Sequence, residues 1–318
     1  MANVIRRADD VRIVALTTDR LAAAAALMAS EHRDFHHAQM TGFADEAMCR
    51  RALSGLLSEG FDGFAALVDD QLAGVMCVSA IPPVGLAPAH GFALRVGDDD
   101  PTSIVVAMLA AATPRLLDAG VVRLTIDHIP AEATSRALHD AGFGRGGVFA
   151  ARATTPLPLH VAPVRIRIGT SLDLDSITEL SHVELQHRYQ PPIHALEPER
   201  PYAMTREIHS AKLNEGETHL IASMNGRDVG LLTIEHDSPA PRLCPQGAHI
   251  GPTATHPDAR GLGVGKALVA AALDEARSRG LPFLSVDFDS ANPLSRPFWL
   301  GLDFTPTGYR LRRVIRLA

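Results

Sequence analysis

Apolar and polar positions run along this chain in two successive series with the same order of periods. In the first, a strand near Arg12 to Leu16 is followed by helical spacing near Asp19 to His37 and Asp45 to Glu59, then by strands near Phe64 to Asp69 and Leu72 to Ala80. In the second, a strand at Arg165 to Ile168 leads to helices near Leu172 to Tyr189 and Arg200 to Asn214, then to strands His219 to Met224 and Asp228 to Glu235. Asn225-Gly226 between those two strands predicts a hairpin turn. A proline-rich stretch closes each series, Ile81 to Ala89 and His236 to Gly247, and both are expected as loops at a functional rim. After the second, Ile250 to Thr255 reads as extended. Leu268, Val269, Ala272, Leu273 and Ala276 recur at helical spacing, and Phe283 to Phe288 reads as a strand.

The two series are an internal repeat. At an offset of 160, Gly91 meets Gly251, Asp98 meets Asp258, Ala110-Ala111-Ala112 meets Ala270-Ala271-Ala272, Gly120 meets Gly280 and Asp127 meets Asp287. Further out the offset drifts as loop lengths change: Val11-Arg12-Ile13 pairs with Val164-Arg165-Ile166, Gly74 with Gly230, and Phe143 with Phe304. The expected organisation is a first domain at 1–153, a linker at 154–163 containing Pro156, Pro158 and Pro163, and a second domain at 164–318.

Composition narrows the setting. The chain has 318 residues, enough for two domains of ordinary size, and 46% of them are hydrophobic. No apolar run reaches the roughly 20 residues of a membrane span, and the charged opening Met1 to Asp10 is unlike a secretory signal. Cys49, Cys77 and Cys244 are odd in number and far apart, as expected of reduced thiols in a cytoplasmic protein. A formal charge of -6 disfavours nonspecific nucleic-acid binding and suits a cationic substrate.

The chemistry concentrates at His256-Pro257-Asp258-Ala259-Arg260-Gly261-Leu262-Gly263-Val264-Gly265-Lys266, between an expected strand and an expected helix. Three alternating glycines there let an anion approach main-chain N–H groups at a helix N-terminus, where the dipole also favours negative charge. A Walker loop requires Ser or Thr after Gly-Lys, and Lys266 precedes Ala267; a dinucleotide fingerprint has a different glycine spacing. In the first copy the equivalent stretch Asp100-Pro101-Thr102-Ser103-Ile104-Val105 has no glycine, and Asp98, Asp99 and Asp100 would repel a diphosphate. That copy is expected to lack a working cofactor site and to serve as support, as a wall of the substrate cleft or in dimer contacts, so a homodimer stays open.

Arg260-Gly261-Leu262-Gly263-Val264-Gly265 resembles the diphosphate-binding motif of the GNAT superfamily of acyl-CoA-dependent N-acyltransferases, Q/R-x-x-G-x-G/A. The residues that follow keep the family's order: a strand at Phe283 to Phe288, Asn292, Phe298-Trp299, and Gly301-Leu302-Asp303-Phe304. The resemblance implies an α/β (α+β) protein of two tandem GNAT domains, each a mixed, mostly antiparallel twisted sheet flanked by helices. It implies acetyl-CoA as cosubstrate, no metal, and a small-molecule amine as acceptor. By the same carry-over the fourth strand of the second domain carries a bulge and splays from the fifth, exposing backbone at Thr253, Ala254 and Thr255. The amides of Arg260, Gly261, Leu262, Gly263, Val264, Gly265 and Lys266 would hold the diphosphate, and Asn292 and Ser295 would lie beside the pantetheine arm. Lys266 and Arg296 could add charge.

One departure bears on catalysis. Trp299 stands where the family often has a tyrosine that protonates the leaving thiolate, and indole cannot do so. Trp299 also reads as a core aromatic, and water, Ser295 or Tyr309 could supply the proton. Glu235 and His249, at neighbouring strand ends, are the candidates for the base, each equally readable as an ordinary polar strand-end residue. A CoA-binding sensor or scaffold without catalysis, or a protein N-acetyltransferase, are the alternative functions. His32 and His36, four apart on a helix, read as a solvated helix end rather than a metal pair. Asp287 and Asp289, two apart at a strand end, read equally as a carboxylate pair facing the cleft or as caps of the helix or loop near Asn292, and Arg310 to Arg313 alternates with apolar residues as an edge strand would.

Overall fold

The computed structural model describes residues 10–33, 43–95, 100–158, 164–195, 199–236 and 247–316. The proline-rich segment 237–246 with Cys244, the acidic Asp98 and Asp99, His36, and Met1 to Val4 at the charged opening lie outside the described residues. The chain divides into two units, Met1–Phe149 with Pro306–Ala318, and Ala150–Thr305.

The first unit contains strands β1 (Arg12–Ala15), β2 (Asp62–Val68), β3 (Gln71–Ile81), β4 (Val84–Ala87), β5 (Phe92–Leu94), β6 (Arg123–His128) and most of β7 (Gly144–Ala153), with helices α1 (Leu21–Arg33), α2 (Glu46–Ser58), α3 (Pro101–Asp118) and α4 (Glu132–Asp140). β1, β2, β3 and β4 pair antiparallel in turn, and β4 runs parallel to β6. Ile81 to Ala89, expected as a loop, therefore contains a strand: the turn at Pro82-Pro83 reverses the chain, and Ser79, Ala80 and Ile81 pair with Leu86, Gly85 and Val84. The prolines sit in the turn, where no ladder N–H is required. Two apolar layers cover the sheet, one under α3 with Ile104, Met108 and Leu116, the other under α1 and α2 with Met28, Leu53 and Phe43.

The second unit contains β8 (Arg165–Ile168), α5 (Leu174–Tyr189), α6 (Tyr202–Asn214), β9 (Thr218–Met224), β10 (Arg227–Glu235), β11 (Gly247–Thr255), α7 (Val264–Ser278), β12 (Phe283–Asp289) and α8 (Ser295–Leu300). The strand order is β12-β11-β10-β9-β8, antiparallel throughout except that β11 and β12 are parallel. A capping box between Thr170 and Asp173 starts the turn that leads into α5. Ile177, Leu180, Ile221, Leu231 and Ala254 pack on the α5 side, while Val264 and Leu268 of α7 lie against Gly230 on the other face.

The last strand, β13 (Thr305–Val314), pairs antiparallel with β6 from Tyr309↔His128 to Val314↔Arg123. Its residues from Pro306 onward belong to the first unit, whereas the expected second domain ran to 318. Arg310 to Arg313 is consequently not an edge: β13 lies between β6 and β7. Arg310 there is bidentate to the buried Asp127 at 2.9 and 3.1 Å, and Arg313 donates to Ala141 O. These partners explain how arginines are tolerated inside a sheet. At the other end, Ala150 to Ala153 belong to the second unit, where Arg152 donates to Leu302 O at 2.6 Å and Thr154 N–H to Pro282 O.

Candidate active site

β11 leaves both of its neighbours at one point. Its pairing with β10 runs Gly230↔Thr255, Leu231↔Ala254, Leu232↔Thr253, then shifts to Ile234↔Ile250 and Glu235↔His249, so β11 spends one residue more than β10 between those rungs. The bulge falls at Gly251-Pro252, where proline removes a donor the ladder does not use. Pairing with β12 stops at Ile250↔Val286, although β11 continues to Thr255 and β12 to Asp289. A splayed gap opens there, bordered by Thr253, Ala254 and Thr255. His256 N–H donates to Val229 O at 2.8 Å, so Thr255, one residue earlier, turns its own N–H away from β10 and toward the gap.

The glycine loop leads from this strand into α7. Gly261 and Gly263 have φ of 78° and 84°, left-handed values that a side chain at either position would strain. Gly263 is the N-cap residue of α7, and the first helical bond runs from Ala267 N–H to Gly263 O. The N–H groups of Val264, Gly265 and Lys266 therefore precede the helical ladder and can receive an anion. Arg260 Nε donates to Thr255 O at 3.3 Å, tying the loop to the strand end. Leu262, Lys266 and Arg296 are exposed, while a Cβ at Gly265 would stand 3.1 Å from the Phe298 ring. Asn292 is buried and its Oδ1 accepts from the N–H groups of Leu294 and Ser295 at 3.0 and 3.1 Å, which caps α8. Trp299 on α8 is buried edge-on between Phe298 and Phe304.

Glu235 and His249 are cross-strand neighbours, and Lys212 of α6 reaches Glu235. Glu235 is buried and pairs with Lys212, which also lies 3.2 Å from Glu217. A Cβ at Gly251 would come within 2.5 Å of Glu235 Oε1, so this carboxylate lies directly against the bulge. His249 is buried with both ring nitrogens engaged, Nδ1 with Ser285 Oγ and Nε2 with Asp287 Oδ1, each at 3.0 Å. Ser285 Oγ also donates to Ala248 O at 3.3 Å, so the serine hydroxyl ties the ring to the β11 backbone. Asp289 accepts from Arg188 Nε at 2.9 Å. Tyr309, an expected source of a proton, belongs to the first unit and packs against His128 under Arg145.

Sequence reasoning overlooked Glu184 on α5. Its carboxyl is raised to about 7, first by burial and then by Asp289 and Asp287, against the lowering influence of Arg188 and Arg200. Arg188 Nε stands 3.7 Å from Glu184 Oε1. The signal that could have found it is the repeat: Glu31 and Glu184 are 153 residues apart, as are Val11 and Val164.

The first unit repeats this geometry with a different occupant. Gly74 abuts Ile104 and Met108 as Gly230 abuts Val264 and Leu268, and Gly74 pairs with Leu94 as Gly230 pairs with Thr255. Arg95 N–H donates to Ala73 O, the counterpart of the His256 bond, so Leu94 N–H also faces away from its ladder. Here Glu31 fills the space. Its Oε2 accepts from Leu94 N–H at 3.3 Å and its Oε1 from Thr134 Oγ1 at 2.5 Å. Thr134 is the counterpart of Ser295 at the spacing that relates Phe143 to Phe304. Glu31 is buried, and burial pushes its carboxyl up to about 7. His32 is equally buried, contrary to the expectation of a solvated helix end, because it shares the inward face of α1 with Met28 and Ala25. At the head of α3, Asp100 accepts from Ser103 N–H at 3.2 Å and Pro101 occupies the first turn, so that helix start is capped from within.

Known proteins agree with this architecture. Residues 180–304 match the acetyltransferase (GNAT) family. A GCN5-related N-acetyltransferase from Sphaerobacter thermophilus is similar over 98% of this chain and 98% of its own, at 16% identity and a TM-score of 0.67. A tandem GNAT protein from the clavulanic acid biosynthesis pathway covers 97% of this chain and 99% of its own, at 13% identity and 0.53. A GNAT-family acetyltransferase from Colwellia psychrerythraea covers 96% and 99%, at 13% identity and 0.52. Among curated proteins none matches. At such identities the structural likeness speaks to the fold, and the family match speaks to the second copy. Residues 180–304 are thus a domain of the GNAT acetyltransferase family, in a chain whose whole length has the GNAT fold.

Proposed function

We propose that the second unit binds acetyl-CoA and transfers its acetyl group to the amine of a small molecule by direct attack. The observation that carries this reading is the junction of a bulged, splayed strand with an open helix start: backbone donors at Thr253 to Thr255 and at Gly261 to Lys266 lie along one connected path. The amides ahead of the α7 ladder receive the diphosphate, and Lys266 adds positive charge from its exposed position. The N–H groups of Thr255 and Thr253, which alternate away from β10, hold the pantetheine arm and polarise the thioester carbonyl in the gap that Ala254 helps to border, with Ser295 on the opposite side. Asn292 acts by fixing the start of α8, and hence Ser295, through its two capping bonds. The roles of Glu235 and His249 fit support better than direct proton transfer, since Lys212 holds the first and Ser285 with Asp287 hold the second.

Calorimetry with acetyl-CoA, followed by CoA release across a panel of small amines, tests the reading. Binding with turnover on at least one amine is the expected result, and no binding overturns it. A CoA-binding sensor is the second reading, favoured by Trp299: buried among aromatic rings, it offers no hydroxyl to a leaving thiolate. Tight binding without turnover on any amine would select it.

A further inference from the structure

We propose that Glu184 is the catalytic base that takes the proton from the acceptor amine in the second unit. The inference rests on the acyl-transfer reading above and on the internal repeat. In the first unit a glutamate at this place on the first helix reaches the splayed gap: Glu31 touches Leu94 N–H and Thr134 Oγ1, the counterparts of Thr255 and Ser295. The α1 and α5 backbones start from the same 3-10 turn after the first strand, so the reach of one side chain measures the reach of the other. In the second unit the glutamate is instead drawn back toward Arg188, and its side chain is 26% exposed. Asp287 and Asp289, at the β12 border of the gap, act on this carboxylate, so in this proposal it serves the acceptor side of a thioester held there.

The surrounding charges suit the task. Arg188 on α5 and Arg200 favour the ionised carboxylate, whereas burial and the carboxylates of Asp287 and Asp289 on β12 oppose it; the balance leaves Glu184 titrating at about 7. A base poised there is half-ionised at neutral pH and far stronger than an ordinary carboxylate. The step balances as follows. An ammonium group binds, and one N–H proton passes to Glu184 Oε. The freed nitrogen lone pair forms the N–C bond to the acetyl carbonyl, and the C–S bond breaks. A second nitrogen proton ends on the departing thiolate, giving the amide and CoA thiol, and Glu184 returns its proton to water.

Glu184→Gln tests the assignment, with Glu184→Asp as its conservative partner. With an amine that the wild type acetylates, Glu184→Gln is expected to lower kcat by about 100- to 10,000-fold, keep the acetyl-CoA Kd within threefold, and abolish the rise of kcat with an apparent pKa near 7. Glu184→Asp is expected to restore part of the rate and to shift that limb. A Glu184→Gln protein with wild-type kcat and the same pH limb overturns the proposal, as does a rate loss that leaves the limb in place. Should the glutamine protein fold poorly, Arg188→Gln provides a second reading: removing the cation must move the limb upward, and an unmoved limb overturns the proposal. A wild type that binds acetyl-CoA yet acetylates no amine overturns the acyl-transfer reading and this role with it, and is told apart from the first failure because no variant enters that result.

Discussion

The two units contain one device in two conditions. In each, a strand breaks its pairing beside a helix start, and a glutamate lies at the matching place on the first helix. In the first unit the glutamate occupies the gap and an aspartate closes the helix start. In the second the matching glutamate lies 3.7 Å from an arginine, and glycines leave the helix start open. The helix start without glycines is therefore accompanied by a filled gap. A vacated gap lined by buried donors is costly, and the chain has satisfied them with its own carboxyl.

The comparison breaks most visibly at the helix starts. Gly263→Val forces a branched side chain into a left-handed backbone and places it before the free amides. Acetyl-CoA affinity is expected to fall by about 100-fold or more, near 3 kcal/mol, in calorimetry. Ser103→Val, at the matching place in the first unit, is expected to leave that affinity unchanged. A similar loss from both would show that the first unit also takes the ligand.

The plugged gap predicts the next effect. Glu31→Ala strands Leu94 N–H and Thr134 Oγ1 in a buried space, and urea denaturation should show a loss of about 3 kcal/mol. Glu31→Gln should retain most of the stability near neutral pH, and the pH dependence distinguishes the two causes. The folded carboxyl at about 7 lies above the ordinary 4.5, so its contribution is complete below pH 4.5 and is lost as pH rises through 7. Relative to Glu31→Gln, the wild type should weaken steadily between pH 5 and pH 8; parallel curves would refute the buried, protonated plug.

Histidines act at the opposite end of the scale. Burial lowers His32 and His90 to about 4 and His128 to about 3, and the ring nitrogens of His32 and His90 have no hydrogen-bond partner among the described residues. The unfolded chain takes up protons from about pH 6.5 downward that the fold refuses, so stability is expected to fall between pH 6.5 and 4 by roughly 1 kcal/mol or more per histidine. In the second unit His209 and His219 are lowered too, but they bond to each other at 3.2 Å. Replacing His128 by Phe should flatten the acid limb, and an unaltered limb would count against it. The smallest effect belongs to Trp299→Phe, which trims an aromatic cluster: a cost of about 1–2 kcal/mol in denaturation is expected, with acetyl-CoA affinity changed less than threefold.

Short-range chemistry was legible in the sequence. The alternating glycines and the helix after them follow from residues close in the chain, the bulge before them was implied by the family resemblance, and the repeat exposed the absence of the glycines from the first copy. The reading failed where partners are distant. Arg310 to Arg313 looked like an edge because the acceptors that let arginines enter a sheet, Asp127 and Ala141, lie more than a hundred residues away. His32 looked solvated because its helix shows two polar residues together, Glu31 and His32, that both turn inward. Glu184 was passed over as one acidic residue among many on an exposed-looking helix. Only the burial of its counterpart gives it meaning.

The position of β13 also orders events during synthesis. β13 is synthesised after the whole of the second unit, yet from Pro306 onward it completes the sheet that β1 to β6 began. Until then β6 offers a bare row of peptide groups, the kind of border on which nascent chains associate wrongly. The first unit must therefore wait, nearly built, until β13 has followed the second unit off the ribosome.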